Sequence, residues 1–225
     1  MSTSVSKASL DKILQNIHKY SPYPSRVQII AVTKGFSYHA ILSALSNKLY
    51  CIGENRVQEF LQKKTNLPNQ KFESHLIGHL QTNKIKKAVE TFNIIQTIDS
   101  IKLATKLNQH MIKVNKKKHI FIQINIGNDP NKYGFLAKNI FSQIEQIEQM
   151  SNLIIKGTMT ILPFLEKNKN TEHLFAKMRT ISTDIKHKIS PTCLNVSMGM
   201  SRDYIYALKQ GSTHIRIGTL LYGTR

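Results

Sequence analysis

Short runs rich in β-branched residues alternate along this chain with longer stretches whose apolar positions recur every three or four residues. The opening stretch, 7–20, places Leu10, Ile13, Leu14 and Ile17 at helical spacing and predicts a helix. After the turn SPYPS at 21–25, the pattern predicts a strand over 27–33 and a helix over 38–46. The same alternation continues with strands over 49–53, 74–77, 94–98 and 119–126, and helices over 56–64, 82–90 and 101–114. A turn-rich segment at 127–134 leads to a helix over 136–150 and a strand over 154–159. A loop through Pro163, a helix over 172–185, a strand over 193–198, a helix over 201–210 and a strand over 214–217 complete the pattern. Eight strands separated by helices argue for an α/β fold, a single (β/α)8 TIM barrel, over an open doubly wound sheet. The eighth helix is expected to be short or missing, with the extra N-terminal helix covering the barrel instead.

Composition narrows this picture. At 225 residues, 40% hydrophobic and 20% charged, the chain fits one globular domain over 1–225, with no long linker or low-complexity stretch. The longest apolar runs, such as 29–32 and 153–155, are too short to cross a bilayer, and the N-terminus has no apolar signal region. A cytoplasmic protein without membrane contact is the expectation. Cys51 and Cys193 lie far apart beside apolar residues, as buried reduced thiols would, and no CxxC or Cys/His spacing marks a metal site. The formal charge is +19, carried mostly by lysines spread along the chain. Without an RNP-like motif, a helix-turn-helix signal or a stacking aromatic set, it implies nonspecific adhesion at low salt and no specific nucleic-acid partner.

Barrel ligands bind where strands run into their following loops. The first strand ends in Val32-Thr33-Lys34, and partial burial there would suit the lysine amine to imine formation with an aldehyde. A solvated lysine at a loop start is the simpler alternative. The second strand ends in Gly53-Glu54-Asn55, where Asn55 is either a site residue or a helix N-cap and Glu54 either a site residue or a helix-terminus charge. Ser197-Met198-Gly199-Met200-Ser201 follows the seventh strand, with Ser201 as the expected N-cap of the next helix, and Gly218-Thr219 follows the eighth. Glycines, hydroxyls and backbone N–H groups at the last two strand ends are the makings of a phosphate cup. Arg216, between Ile215 and Ile217, needs either a carboxylate or a ligand atom as partner. His75 and His79 flank the end of the third strand and read as structural rather than as acid/base or metal-binding groups. No Ser-His-Asp order, P-loop or GxGxxG is present.

In order along the chain stand AVTK at 31–34, IGENRVQE at 52–59, HLIGHLQTNK at 75–84, IQTID at 95–99, IQINIG at 122–127, KGTM at 156–159, SMGMSRDYIYAL at 197–208 and GSTHIRIGTLLYGTR at 211–225. Taken together they resemble the pyridoxal phosphate homeostasis protein family over nearly the whole chain. The resemblance implies the barrel of the alanine racemase N-terminal domain, with pyridoxal 5′-phosphate as a Schiff base on Lys34. It further implies Asn55 near the cofactor ring, Ser201 with Gly218 and Thr219 at the phosphate, Ser197 contributing there, and Arg216 facing the pyridine nitrogen. An arginine there yields no proton readily, so the ring stays a weak electron sink. The implied role is vitamin B6 homeostasis without catalytic turnover, with pyridoxal phosphate-dependent apoenzymes as recipients. A single-domain amino-acid racemase is the alternative. A monomer is expected, because the racemases dimerise through a domain not seen in this sequence. Gly35 stands where the family often has proline, Arg56 where tyrosine is common and Ser74 in place of a usual tryptophan, which bears on contacts at the pocket rim.

Overall fold

The computed structural model describes residues 4–67, 71–163 and 168–224, so Arg225 of the closing motif lies outside the described residues. Helix α1 (Lys7–Tyr20) begins at Ser6, whose hydroxyl accepts from Ser9 N, and buries Leu10, Ile13 and Ile17 on one stripe. Burial of each such side chain stabilises by about 1.5–3 kcal/mol. The elements that follow are β1 (Gln28–Val32), α2 (Tyr38–Ser46), β2 (Cys51–Glu54), α3 (Val57–Lys64), β3 (Glu73–Leu76), α4 (Ile85–Thr91), β4 (Ile94–Ile98) and α5 (Ile101–Lys113). After β5 (Lys118–Asn125) come β6 (Phe135–Leu136), α6 (Ile140–Glu148), β7 (Leu153–Met159), α7 (Asn168–Lys188), β8 (Asn195–Met200), α8 (Tyr204–Lys209), β9 (His214–Ile217) and α9 (Thr219–Tyr222).

All pairings are parallel. The strand order β4-β3-β2-β1-β9-β8-β7-β5 closes through β4–β5, and the two-residue β6 lies beside β5. This is the closed eight-stranded barrel that the alternation predicts. In place of a long eighth helix the chain has the one-turn α9, and α1 covers that sector. Asn16 Nδ2 donates to Tyr204 Oη at 2.7 Å, and Ser6 N to Leu221 O at 2.8 Å.

Two-residue alternation sorts the strand residues. Ile29, Ala31, Ile52, Leu76, Ile95, Ile215 and Ile217 belong to the large cluster shared with the helices. Ile30, Val32, Cys51 and Ile77 form one small cluster inside the barrel, and Ile94, Phe121 and Met159 another. Arg216 pairs with Ile30 in register and shares this inner face.

Several expected boundaries move, and three of the shifts lie beside the strand ends. The strand expected at 193–198 is Asn195–Met200, carried on through Gly199 at φ 91°, where a Cβ would stand 2.6 Å from Ala207 Cβ. Only glycine takes this conformation at little cost. The helix expected at 201–210 is Tyr204–Lys209 with Asp203 at its N-cap position, so Ser201 is a loop residue and not a cap. The helix expected at 136–150 begins at Ile140, because Phe135 and Leu136 pair with β5.

Candidate functional site

A cavity of about 480 Å³ opens at the C-terminal ends of the strands, within the range of small-molecule sites, roughly 300–1,000 Å³. Val32, Ile77, Ile161 and Leu162 give it apolar wall, and Lys34, Asn55, Lys132, Ser201, Arg202, Asp203, Arg216, Gly218 and Thr219 give it polar groups. Four of these are cationic residues, against the single carboxylate of Asp203.

The peptide around Lys34 is clamped from behind. Lys63 Nζ, on α3, donates to Thr33 O at 2.8 Å, Glu54 Oε1 at 2.6 Å and Glu59 Oε1 at 2.7 Å. Thr33 Oγ1 donates to the same Glu54 oxygen at 2.6 Å, and Gly35 N donates to Glu59. Burial pushes the Glu54 carboxyl above its ordinary range, opposed by the bonds from Lys63 and Thr33. Glu54 is therefore a buried ion-pair member, not a helix-terminus charge, and Asn55 lines the cavity while Arg56 takes the N-cap position of α3. The departure at Gly35 has a physical reason: φ is 74° and the amide donates, and proline can supply neither. Ser74 is also explained. It is buried and its hydroxyl donates to Asn93 Oδ1 at 2.8 Å, so it faces the helical layer and not the rim.

On the opposite wall, Arg216 is 4% exposed. Its Nη1 donates to Ser197 Oγ at 2.8 Å and its Nη2 to Thr160 O at 2.7 Å. Burial lowers the guanidinium to about 10, which leaves it a cation at neutral pH, with Asp203 supplying compensating negative charge. Ser197 does not reach the cavity. It is fully buried beneath Arg216 and donates to Gln96 Oε1 at 2.7 Å, so its expected share in a phosphate cup is replaced by support of the arginine. Ser201 does reach the cavity, and its Oγ accepts from Leu220 N at 3.4 Å, joining the β8–α8 loop to the β9–α9 turn. Gly218 packs so near Val32 that a Cβ would lie 3.4 Å from that residue's Cβ and carbonyl oxygen.

The two flanking histidines are engaged. His79 Nδ1 lies 2.8 Å from Asp99 Oδ2 with its ring stacked on Tyr133, and His75 Nδ1 lies 2.9 Å from Gln96 Nε2 inside the barrel. Among the cavity residues absent from the sequence reading are Lys132 and Asp203. Lys132, from the turn-rich segment, lines it while donating to Leu162 O at 2.6 Å, and Asp203 accepts from Met200 N. Only the closure of the barrel brings these loops over the lysine.

Comparison with known proteins agrees with this fold. A family model described as the alanine racemase N-terminal domain matches residues 8–225. Structures of PipY from Synechococcus elongatus share the fold. One without PLP has a TM-score of 0.84 at 35% identity and covers 93% of this chain and 98% of that one. One with PLP bound has a TM-score of 0.80 at 32% identity, covering 94% and 100%. Alanine racemase of Clostridium difficile, 15% identical with a TM-score of 0.75, shares the barrel over 99% of this chain and 57% of its own length. The pyridoxal phosphate homeostasis protein of Aquifex aeolicus is 32% identical over 220 residues, 96% of each chain. That of a Synechocystis species is 36% identical over 203 residues, covering 90% of this chain and 93% of that one. The chain belongs to the pyridoxal phosphate homeostasis protein family.

Proposed function

We propose that this chain binds pyridoxal 5′-phosphate in the strand-end cavity and holds it for intracellular vitamin B6 homeostasis, with Lys34 as its covalent anchor. The observation that carries this reading is convergence: Lys34, Asn55, Arg216, Ser201 and the Gly218–Thr219 turn line one cavity although they lie up to 185 positions apart in sequence. Its four cationic residues suit an anionic ligand. Ser201, and the first N–H groups of the turn opened by Gly218, suit a phosphate. The cofactor supplies an aldehyde for amine capture and a ring that can accept electrons.

The residues of the chain favour holding over turnover. The clamp of Lys63, Glu54, Thr33 and Glu59 fixes the backbone on both sides of Lys34, so the amine is presented from a rigid base. Arg216 remains a cation at neutral pH and offers no proton acceptor to the ring nitrogen it is assigned to face. We assign these roles to one domain acting as a cytoplasmic monomer, with pyridoxal phosphate-dependent apoenzymes as recipients.

The test is the absorption spectrum of the full chain with pyridoxal phosphate beside that of Lys34→Ala, before and after borohydride. A lysine-bound cofactor band, lost in the variant and fixed covalently by reduction, is the expected result. A chain that stays colourless with excess cofactor rejects the reading. Exchange of amino-acid α-protons with solvent at an enzymatic rate would instead favour a racemase.

A further inference from the structure

The other end of the barrel carries a second convergence of polar groups, which the proposed function does not use. Cys51 opens β2 and Glu73 opens β3, and His75 follows two residues on, projecting to the same side as Glu73. Parallel pairing sets Cys51 beside Glu73 and Gly53 beside His75. One ligating atom from each of Cys51, Glu73 and His75 lies within 4.8 Å of the other two. Tetrahedral ligands about 2.0–2.3 Å from a shared ion stand roughly 3.3–3.8 Å apart, so small side-chain rotations close the set.

His75 is 0% exposed, and its Nε2 is held 2.8 Å from Glu73 Oε1, so the two donors already face each other as they would around a shared ion. Cys51 Sγ has only a long contact, 3.9 Å, to Gln28 Oε1. Glu73 is 44% exposed and opens the group to solvent.

We propose that Cys51, Glu73 and His75 bind a thiophilic divalent cation of the zinc class at the N-terminal end of the barrel, with water as the fourth ligand. A sulfur, nitrogen and oxygen donor set suits zinc and disfavours magnesium or calcium, which take oxygen ligands. On binding, the S–H bond of Cys51 breaks, a metal–sulfur bond forms and the proton leaves to solvent. Burial holds that thiol at about 12, so it keeps its proton until a cation displaces it. With the ion on Nε2, the imidazole proton moves to Nδ1, which requires the Gln96 amide to turn end for end and exchange the bond it accepts from Ser197 for one it donates. His119 and His214 lie near the same carboxylate. Burial lowers His214 to about 3, so it is neutral and does not repel the ion.

The site is tested on the full chain with Zn²⁺ by calorimetry and Co²⁺ by difference absorption. One ion per chain is expected, with a thiolate-to-cobalt charge-transfer band that Cys51→Ser abolishes. Glu73→Gln, at a half-exposed position that leaves the core intact, is expected to weaken zinc binding at least about tenfold. Lys34→Ala, at the opposite mouth, is expected to leave the cobalt spectrum unchanged, which separates this site from the cofactor cavity. Absence of the charge-transfer band, its persistence in Cys51→Ser, unaltered affinity in Glu73→Gln, or its loss in Lys34→Ala would each overturn the proposal.

Discussion

The two ends of the barrel are built from the same strands but to opposite plans. At the mouth, the residues just beyond the strands are small, hydroxylated or cationic and surround open space. At the floor, Cys51, Lys118 and His214 begin their strands with side chains close against protein, while Glu73 reaches solvent. Lys118 Nζ donates to Val89 O at 3.0 Å and to Phe92 O at 2.7 Å, the end of α4, where a cation is favoured. Strand starts are held by the ladder on one side and by packed helix ends on the other, whereas strand ends hand over to loops. Change at the mouth should therefore be read mainly in binding, and change at the floor mainly in stability.

The clamp behind Lys34 is where that division should break most sharply. Lys63→Ala leaves Glu54 as a buried carboxylate without its cation and is expected to destabilise the fold by about 3–5 kcal/mol in urea titration, although it lies at the mouth. A loss below about 1 kcal/mol would show that Glu54 simply takes up a proton. Gly199→Ala comes next. It combines a left-handed backbone with a Cβ 2.6 Å from that of Ala207, and about 1–3 kcal/mol of stability should be lost in thermal unfolding, with the Ser201 loop displaced.

Titration sharpens the contrast, because the two ends carry opposite signs. Burial lowers Lys118 at the floor to about 8. Between that value and the unfolded value of about 10.4 the unfolded chain binds more protons, so stability rises with pH, by about 1–2 kcal/mol over the window after allowance for solvent screening. Burial raises Asp203 and Glu54 at the mouth, so the folded chain takes up protons first and their contribution rises as pH falls through the carboxylate range. Urea midpoints against pH check both arms: Lys118→Met should flatten the alkaline arm and Asp203→Asn should reduce the acid one. The smallest effect belongs to Ser201→Ala, expected to weaken pyridoxal phosphate binding about tenfold with unchanged unfolding. A shifted unfolding midpoint would mean that its link to Leu220 N supports the fold as well.

The architecture was legible in the sequence wherever periodicity and a clear stop coincide. The strands at 94–98 and 214–217 and the helices at 7–20 and 38–46 stand where the pattern predicts them. That Lys34, Asn55, Ser201, Arg216, Gly218 and Thr219 share one cavity follows from their places at or near the C-terminal ends of strands, which the sequence pattern shows. Ser197 was misread because spacing along a strand does not reveal which neighbour claims a hydroxyl, and here Gln96 and Arg216 do. Lys132 and Asp203 were missed because a loop's sequence does not say over which strand end it folds. The floor was invisible for a related reason: Cys51 and Glu73 are 22 positions apart, and only the β2–β3 register makes them neighbours.

The excess of cationic residues around the mouth has its plainest consequence in time rather than in geometry. A phosphate-bearing ligand approaching a chain of formal charge +19 meets an attractive field before it touches any side chain, and Lys34, Lys132, Arg202 and Arg216 concentrate that field at the opening. Association should slow steeply as salt shortens the reach of the field, while dissociation, governed by contacts inside the cavity, should change little. Stopped-flow mixing at two ionic strengths would separate the two rates. The expected outcome is that surface charge sets how often a ligand is captured and the barrel how long it stays.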